Sequence, residues 1–478
     1  MKRYLFILIM LLISDLAINQ TVTWDRTYDN DETDRALSIA PTIDNGYIVA
    51  GTTGSLEESN TWILKLNEFG DTIWSKIYGE STFGGAFSII ETSDGNFIFT
   101  GYKSPTNNYF DFYIYILKLD EDGNTIWDYS YSGGNRVGTD IIETIDEGFI
   151  ILGRNYTFVA NEIILIKLNQ DGQLVWDKNY NFQGSPYLMY EIIETQDSGF
   201  MLIGEKSGLT DQDIWIMKTD QNGDSTWSKT INYQGNDVGY SIKQLENGDF
   251  IIAANSGTNE YGQNHLLTYK LYSSGEIDWV KSYFDNAFFS SSSIISTSDG
   301  NFFTTGRISQ QVGVKGIFLF KQNSFGDSTW LRTFERGAYG GSSEIHQTGD
   351  DGYIISGYVS NNGSGSDKDA WVLKLNESGL VKIKSELHLP QIHITIFPNP
   401  ANDFVFCRFD TPIIPNNSID IKIYSLDFKL QKSFTFQLKN QENNILPLSI
   451  SGLSSGIYII RVELDKEIIT KKILISKK

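Results

Sequence analysis

The stretch Tyr113 to Trp127, YIYILKLDEDGNTIW, decides the fold because the chain repeats its pattern at intervals of 49 to 53 residues. Each of seven copies places a glycine five residues after a lysine, and six of them place a tryptophan four residues after that glycine. A fixed internal period of this size is typical of propellers and solenoids. The repeated tryptophans are Trp24, Trp74, Trp127, Trp176, Trp227, Trp279 and Trp330. The repeated lysines are Lys65, Lys118, Lys167, Lys218, Lys270, Lys321 and Lys374.

The second copy predicts four strands, here named A to D in chain order: Phe87 to Thr92, Phe97 to Tyr102, Tyr113 to Leu119 and Thr125 to Tyr131. The turn Ser93 to Asn96 contains Asp-Gly, a pair that tolerates positive φ and favours a tight hairpin. Four antiparallel strands per copy favour a propeller blade. A linear β-solenoid is the alternative, although its coils are usually shorter and are not built from hairpins.

The two ends of the repeat region predict a closed ring. Thr21 to Tyr28 (TVTWDRTY) matches strand D, whereas Leu380 to Leu387 is a degenerate copy with Ile383 in place of tryptophan. We therefore expect the N-terminal segment to supply strand D of the last blade, which leaves no open sheet edge. The predicted fold class is all-β: a seven-bladed β-propeller over 20–391, followed by a small Ig-like β-sandwich over 392–478.

The turns of the repeat also resemble a known family of units. In Asp120 to Trp127, Asp122 lies five residues before the tryptophan, as in an Asp-box, although the glycine comes one place early. The units resemble the propeller repeats of exported Bacteroidetes proteins. Because Asp-boxes are structural turns, this resemblance supports the propeller and implies no chemistry.

The N-terminus predicts a signal peptide over 1–19. Lys2 and Arg3 precede an apolar run, Tyr4 to Ile13, that is too short to span a bilayer. An uncleaved anchor is the alternative. No later segment is long and apolar enough to cross a membrane, so we expect no transmembrane segment in the mature chain.

The C-terminal 392–478 loses the repeat and shows alternating strands, which favour an Ig-like sandwich. Its motifs Pro398-Asn399-Pro400 and Leu453 to Tyr458 and its ending Thr470 to Ile475 resemble the type A sorting domain of the Bacteroidetes type IX secretion system. The resemblance implies passage through the periplasm, contact with the secretion machinery, and release or attachment at the outer-membrane surface. The candidate sorting-signal residues are Pro398, Asn399, Pro400, Gly456, Tyr458, Lys471 and Lys472.

Charge and composition exclude several classes of partner. The net charge is −21, and it is concentrated in the repeat region. An acidic body argues against nucleic acid and anionic membranes as partners, and permits cations or basic partners. Cys407 is the single cysteine, so the sequence contains no disulfide framework and no thiolate metal cluster.

Variation in loop length between the copies indicates which face of the propeller is functional. The interval between strands B and C varies most, and in a propeller the B–C loops share one face with the D–A loops. We call this face the upper face; the lower face carries the tight A–B and C–D turns. Variable loops on a rigid scaffold usually hold ligand contacts, so we expect a glycan or protein ligand on the upper face. The longest loops are Lys103 to Phe112, Asn255 to Asn264 and Ser360 to Asp369, with Tyr109, Phe110 and Tyr261 as their aromatic residues.

Strand A lies nearest the channel and offers weak catalytic candidates. Glu91, Glu143 and Glu194 stand six residues before the first aromatic of strand B in adjacent copies. Two carboxylates facing each other could hydrolyse a glycosidic bond or hold Ca²⁺. A polar, hydrated channel wall is the favoured interpretation, because glutamine and serine fill the same place in other copies and no histidine supports the catalytic one.

Three functions therefore remain open at the level of sequence. The first is a secreted or cell-surface binding module for glycan or protein, without catalysis. The second is a polysaccharide-active hydrolase or lyase that uses the channel-facing carboxylates. The third is a structural spacer in a surface assembly. No cofactor is predicted, Ca²⁺ is the one cation the carboxylates could bind, and the metal-binding residues are unknown.

Overall fold

The computed structural model is built entirely from strands in the part of the chain that it describes. The described residues are 23–30, 33–54, 59–79, 83–104, 111–155, 162–181, 187–208, 211–257, 264–283, 288–309, 315–360, 367–380, 394–409, 418–425, 429–437, 445–464 and 467–477. The predicted signal peptide and the predicted boundary near 391 lie outside these ranges. The chain divides into two compact units, Met1–Leu387 and His388–Lys478.

The first unit contains seven four-stranded antiparallel sheets, which confirms the seven-bladed propeller. Blade 1 is β2 (Arg35–Pro41), β3 (Tyr47–Thr53), β4 (Asn60–Leu66) and β5 (Thr72–Tyr78). Blade 2 is β6 (Gly84–Glu91), β7 (Phe97–Lys103), β8 (Tyr113–Leu119) and β9 (Thr125–Tyr131). Blade 3 is β10 (Arg136–Glu143), β11 (Phe149–Asn155), β12 (Glu162–Leu168) and β13 (Leu174–Asn181). Blade 4 is β14 (Tyr187–Glu194), β15 (Phe200–Ser207), β16 (Gln212–Thr219) and β17 (Ser225–Ile231).

The remaining blades repeat the same order. Blade 5 is β18 (Asn236–Gln244), β19 (Phe250–Gly257), β20 (Asn264–Leu271) and β21 (Ile277–Tyr283). Blade 6 is β22 (Phe288–Ser296), β23 (Phe302–Ser309), β24 (Lys315–Gln322) and β25 (Ser328–Phe334). Blade 7 is β26 (Tyr339–Gln347), β27 (Tyr353–Ser360), β28 (Asp369–Leu375) and β1 (Trp24–Tyr28).

The ring closes as the repeat pattern predicts. The N-terminal strand β1 pairs antiparallel with β28, with Trp24 opposite Lys374 and Tyr28 opposite Ala370. The first strands of successive blades contact one another around the axis, from β2 and β6 to β26 and β2. The central strands of each blade are buried on both faces because neighbouring blades cover them.

Each tryptophan of strand D packs on the C–D turn of the following blade. A Cβ atom built on Gly172 would lie 2.6 Å from the Trp127 ring, and one built on Gly70 would lie 2.8 Å from the Trp24 ring. The indole N–H of Trp24 also donates to the Glu68 carbonyl at 2.9 Å. The turn glycine is therefore required twice, for its positive φ of 78° at Gly172 and for the space that the indole fills.

The repeated lysines have the structural role expected of residues that recur in every copy. Their side chains are largely buried, and each ammonium group reaches an aspartate in the A–B turn of its own blade. The distances run from 2.5 Å for Lys167 and Asp146 to 4.0 Å for Lys321 and Asp299. The other pairs are Lys65–Asp44, Lys118–Asp94, Lys218–Asp197, Lys270–Asp249 and Lys374–Asp350.

The second unit is a sandwich of two sheets. One sheet has the order β29 (Ile394–Phe397), β30 (Phe404–Phe409), β33 (Ile445–Ser449). The other has the order β32 (Leu430–Gln437), β31 (Ser418–Ser425), β34 (Gly456–Leu464), β35 (Glu467–Ile475). Val405, Cys407 and Leu448 of the first sheet form one core with Ile421 and Ile460 of the second, which agrees with the predicted sandwich.

We predict that Gly172→Ala destabilises the propeller more than Gly95→Ala does. Both glycines have a φ of 78°, so both variants bear the left-handed strain of about 1–2 kcal/mol. Only the new methyl group at 172 meets an indole, since nothing lies within 4 Å of a Cβ atom at Gly95. The melting temperature of the mature chain measures the difference, and equal losses for the two variants would contradict the proposed packing role.

Candidate functional site

The three predicted glutamates lie at the lower ends of the first strands of blades 2, 3 and 4. There each accepts a hydrogen bond from a backbone N–H in the A–B turn of the preceding blade. Glu91 accepts from Ile43 at 2.7 Å, Glu143 from Ser93 at 2.8 Å and Glu194 from Ile145 at 3.0 Å. Gln244 accepts from Gln196 in the same way at 2.8 Å. These side chains therefore connect successive blades.

The charged groups that surround Glu91 and Glu194 belong to the preceding blade in each case. Burial raises the pKa of Glu91, and the nearest charges are Lys65 and Asp44 of the preceding blade. Burial likewise raises the pKa of Glu194, beside Lys167 and Asp146. The hydrogen bonds of the described residues join none of the three glutamates to another. A catalytic or calcium-binding role for these residues stays a prediction.

A second ring of polar residues lies higher in the channel, and sequence reasoning missed it. In every blade the pairing of strands A and B skips one residue, which forms a β-bulge. The residue after the bulge belongs to what we call the inner ring. The inner ring is Ser38, Ser88, Asp140, Glu191, Ser241, Ser293 and Glu344.

The inner ring links the blades by hydrogen bonds. The N–H of Ile192 donates to Asp140 at 2.9 Å, and the N–H of Ile89 donates to Ser38 at 3.1 Å. The same bond joins Ile39 of blade 1 to Glu344 of blade 7 at 3.0 Å, across the junction where the ring closes. Each of these bonds satisfies a backbone donor on the channel-side edge of a sheet. The inner ring thus holds the first strands together.

Three inner-ring residues are acids, and two basic groups accompany them. Glu191 pairs with Lys243, and Glu344 lies 2.9 Å from the ring nitrogen of His346. Burial raises the pKa of Glu344, but His346 and two hydrogen bonds more than offset it, so the pKa is lowered overall. Burial, with Glu191 beside it, raises the pKa of Asp140 from 3.8 to about 7. Among the described residues, no three acidic, histidine or cysteine side chains are grouped to bind a metal ion.

The upper mouth of the channel is lined by aromatic residues, some of which come from the bulge positions. Phe87 lies 5.5 Å from Tyr102 between ring centroids, and Tyr190 lies 5.1 Å from Tyr240. Tyr190 donates to the buried carboxylate of Glu205 at 3.3 Å. The bulge position thus carries large aromatic side chains in blades 2, 4 and 5, on the part of strand A nearer the upper face. The loop residues Tyr109, Phe110 and Tyr261 lie outside the described residues.

A group of cations completes the mouth between blades 6, 7 and 1. Arg307 lies two residues before the end of strand B of blade 6, Arg35 begins strand A of blade 1, and Lys368 precedes strand C of blade 7. The Arg307 guanidinium stacks on Tyr339 at 4.0 Å from the ring centroid, and the Lys368 ammonium lies 4.8 Å from the centroid of Tyr358. Asp34 precedes Arg35 in the chain, and Asp367 and Asp369 flank Lys368.

In the second unit, the Pro398-Asn399-Pro400 segment binds the last strand. The Asn399 side-chain oxygen accepts from the N–H of Leu474 at 2.9 Å, and the N–H of Ala401 donates to the Leu474 carbonyl at 2.9 Å. Tyr458, two residues into β34 from Gly456, bonds Ser454 at 3.1 Å. The side chains of Lys471 and Lys472 in β35 are exposed.

Comparison with known proteins identifies this second unit. Residues 395–476 match the family model of the secretion system C-terminal sorting domain. The C-terminal unit is a secretion-system sorting domain. It directs export through the type IX system of the Bacteroidetes, so the protein is secreted or attached to the cell surface. Among the described residues, no helix is long and apolar enough to cross a membrane.

Solved structures similar to the chain include propellers, all at low identity. Sqt1 from Chaetomium thermophilum is 11% identical with a TM-score of 0.43, covering 73% of this chain and 97% of its own. The β-propeller domain of the Trilobed protease from Pyrococcus furiosus is 9% identical with a TM-score of 0.40, covering 76% and 99%. PorZ, a bacterial surface component of the type-IX secretion system of Porphyromonas gingivalis, is 9% identical with a TM-score of 0.22, covering 92% and 81%. A search of the curated proteins found no match.

We predict that Asp140→Asn becomes relatively more stabilising as the pH rises from 4 to 8. The folded chain holds the Asp140 proton more tightly than the unfolded chain, because the pKa rises from 3.8 to about 7. The aspartate therefore destabilises the fold above pH 4, increasingly up to about pH 7, whereas asparagine does not titrate. Melting temperatures of both chains across this pH range test the prediction.

Asp94→Asn is the matched control with the opposite sign. Hydrogen bonds from Lys118 and Thr92 outweigh burial and lower the pKa of Asp94. That carboxylate stabilises the fold above its unfolded pKa, and the contribution is lost as the pH falls. The stability of the asparagine variant relative to the original chain should therefore decrease from pH 3 to pH 5. Parallel pH trends in the two variants would contradict the assignment of Asp140.

We predict that replacing Lys471 and Lys472 together by alanine impairs export without unfolding the sorting domain. Both side chains are exposed, so the loss should come from contacts with the secretion machinery. Fractionation of cells would show the chain retained in the periplasm. Lys477→Ala, which changes a lysine outside the motif, should be exported normally. Full export of the double variant would show that these two lysines are not part of the sorting signal.

Proposed function

We propose that the protein is a secreted or cell-surface binding module without catalytic activity, and that it binds a glycan at the upper mouth of the propeller channel. The sorting domain takes the chain out of the cell, and the propeller is its working part. The observation that carries the proposal is the contrast between the two ends of the channel.

The lower end uses its polar groups for structure. The glutamates there accept backbone N–H groups, and the turn aspartates bind the repeated lysines. Such contacts recur from blade to blade, as structural contacts do in repeat proteins. A site that recognises one ligand needs a local departure from this repetition.

The upper mouth departs from the repetition in every blade. At the fifth position after the first aromatic of strand B the seven blades carry five residue types: Thr52, Tyr102, Arg154, Glu205, Asn255, Arg307 and Tyr358. Aromatic rings, amides and charged groups are the usual lining of a ligand site. The variable B–C loops surround the same mouth, and such loops commonly carry binding residues.

A glycan fits the channel mouth better than a peptide strand does. A peptide that extends a sheet requires unpaired backbone groups at an exposed edge. In the channel the edge donors Ile39, Ile89 and Ile192 are already bonded to the inner ring. Sugar rings need no such edge, because their C–H faces pack on aromatic rings and their hydroxyl groups bond planar polar side chains.

We predict that the purified mature chain binds glycans on an array and releases no product from them. Phe87→Ala should weaken that binding about tenfold or more, because it removes an aromatic face from the mouth. Ile145→Ala is the matched control, since Ile145 is an 85% exposed apolar side chain on the lower face. Product release that disappears in Glu91→Gln, Glu143→Gln or Glu194→Gln would establish the hydrolase or lyase instead.

A further inference from the structure

Three cations at the upper mouth lack acidic partners. Arg35, Arg307 and Lys368 are all partly buried, and none of them forms an ion pair with an acid among the described residues. Other cations of this face are paired: Arg136 binds Glu162 at 2.9 Å, and Arg336 binds Asp25 at 2.7 Å. Arg154, at the position in blade 3 that corresponds to Arg307, also lacks an ion pair among the described residues. Arg35, Arg307 and Lys368 differ in lying together, since both arginines lower the pKa of Lys368, and we call these three the cation cluster.

The arginines of the cluster also have unused donors. The Nε atoms of Arg35 and Arg307 are buried and have no hydrogen-bond acceptor. Another nitrogen of the Arg307 guanidinium, Nη1, donates a hydrogen bond to the Tyr339 hydroxyl. Because buried donors in folded proteins are almost always bonded, the two unpartnered Nε donors favour an acceptor from outside the chain.

The packing around the cluster fixes its geometry. Tyr339 and Tyr358 lie 6.0 Å apart between centroids, with Arg307 stacked on Tyr339 and Lys368 over Tyr358. A Cβ atom on Gly341 would lie 3.3 Å from both the Arg307 Cβ and the Tyr358 hydroxyl. The glycine thus lets the arginine and the tyrosine approach each other, and the cations are held in place without any acid.

The charges of the cluster repel each other. Burial, followed by Arg35 and Arg307, lowers the pKa of Lys368 to about 8. The neighbouring acids form no ion pair with these cations among the described residues. Asp34 accepts a hydrogen bond from the N–H of Asn30, and the charges that affect the pKa of Asp369 are those of Asp29, Asp367 and Arg336. A bound anion would relieve this repulsion and fill the empty donors, because arginine pairs strongly with carboxylate and other oxyanions.

From this geometry we propose that Arg35, Arg307 and Lys368 bind the carboxylate or sulfate group of an acidic polysaccharide. The inference rests on the proposed glycan-binding function and names its ligand class. A sugar acid places its anionic group on the cations while its ring lies at the aromatic mouth. The chain as a whole carries a charge of −21, which repels acidic polymers, so attraction must come from a local site such as this one.

The test measures binding of the purified mature chain to four polymers. Polygalacturonate carries carboxylates, dextran sulfate carries sulfate esters, dextran is neutral and polyglutamate is an acidic peptide. We expect binding to polygalacturonate or dextran sulfate, and which of the two binds identifies the anion. Arg307→Gln and Arg35→Gln should each weaken that binding about tenfold or more. Arg336→Gln, with the same charge change on the same face, should have an effect of less than about twofold.

Lys368 supplies a readout that a merely structural role would not change. Binding of the acidic polysaccharide should weaken from pH 7 to pH 9, because the Lys368 ammonium loses its proton within this range. Lys368→Arg keeps its charge throughout and should bind with little change over the same range. Melting temperatures of all variants show whether each one is folded.

Each result has one consequence. Loss of acidic-polysaccharide binding in Arg307→Gln and Arg35→Gln, but not in Arg336→Gln, supports the proposal. Equal loss in all three, or no loss in the cluster variants, overturns it. Binding of polyglutamate alone overturns the polysaccharide assignment. Binding of dextran that the cluster variants do not change overturns this inference while leaving the proposed glycan-binding function standing, and binding of no glycan overturns both.

Discussion

The pairing of β1 with β28 is the contact on which the rest of the propeller depends. A blade is hydrophobic on both faces and is buried only between two neighbours, so every blade needs a closed ring. Trp24 then packs on the Gly70 turn of blade 1 in the same way that the other tryptophans pack on the following blades. One strand from the start of the chain therefore completes both the last sheet and the last inter-blade contact.

Closure also creates the channel and determines what its walls can do. The β-bulge in every strand A leaves a backbone donor toward the axis, and a serine or an acid of the neighbouring blade accepts it. Asp140 holds the N–H of Ile192 while its own pKa is raised toward neutrality. Acids in this position are thus part of the scaffold, which is why an acidic residue near the axis is weak support for catalysis.

The repeat spacing predicts the number of blades, the strand order and the closing strand, because all of these follow from one period. It does not predict the inner ring, since serine alternates there with Asp140, Glu191 and Glu344, and the bulge shifts the side-chain alternation by one residue. A constant spacing of nine residues before the first aromatic of strand B was the signal that could have revealed it. The glutamates six residues before that aromatic were easier to see, yet they bond to neighbouring turns.

The cation cluster could not be predicted from spacing for a different reason. Arg35, Arg307 and Lys368 belong to three different blades and three different places in the repeat, and only closure of the ring between blades 6, 7 and 1 brings them together. In each blade the repeated lysine forms an ion pair with an aspartate of the A–B turn, as Lys374 does with Asp350. Arg35, Arg307 and Lys368 have no such repeated acid opposite them among the described residues, and they lie on the face where the blades differ most. The symmetry of the scaffold accounts for the repeated lysines, whereas these three cations fall outside the repeat and their role cannot be derived from it.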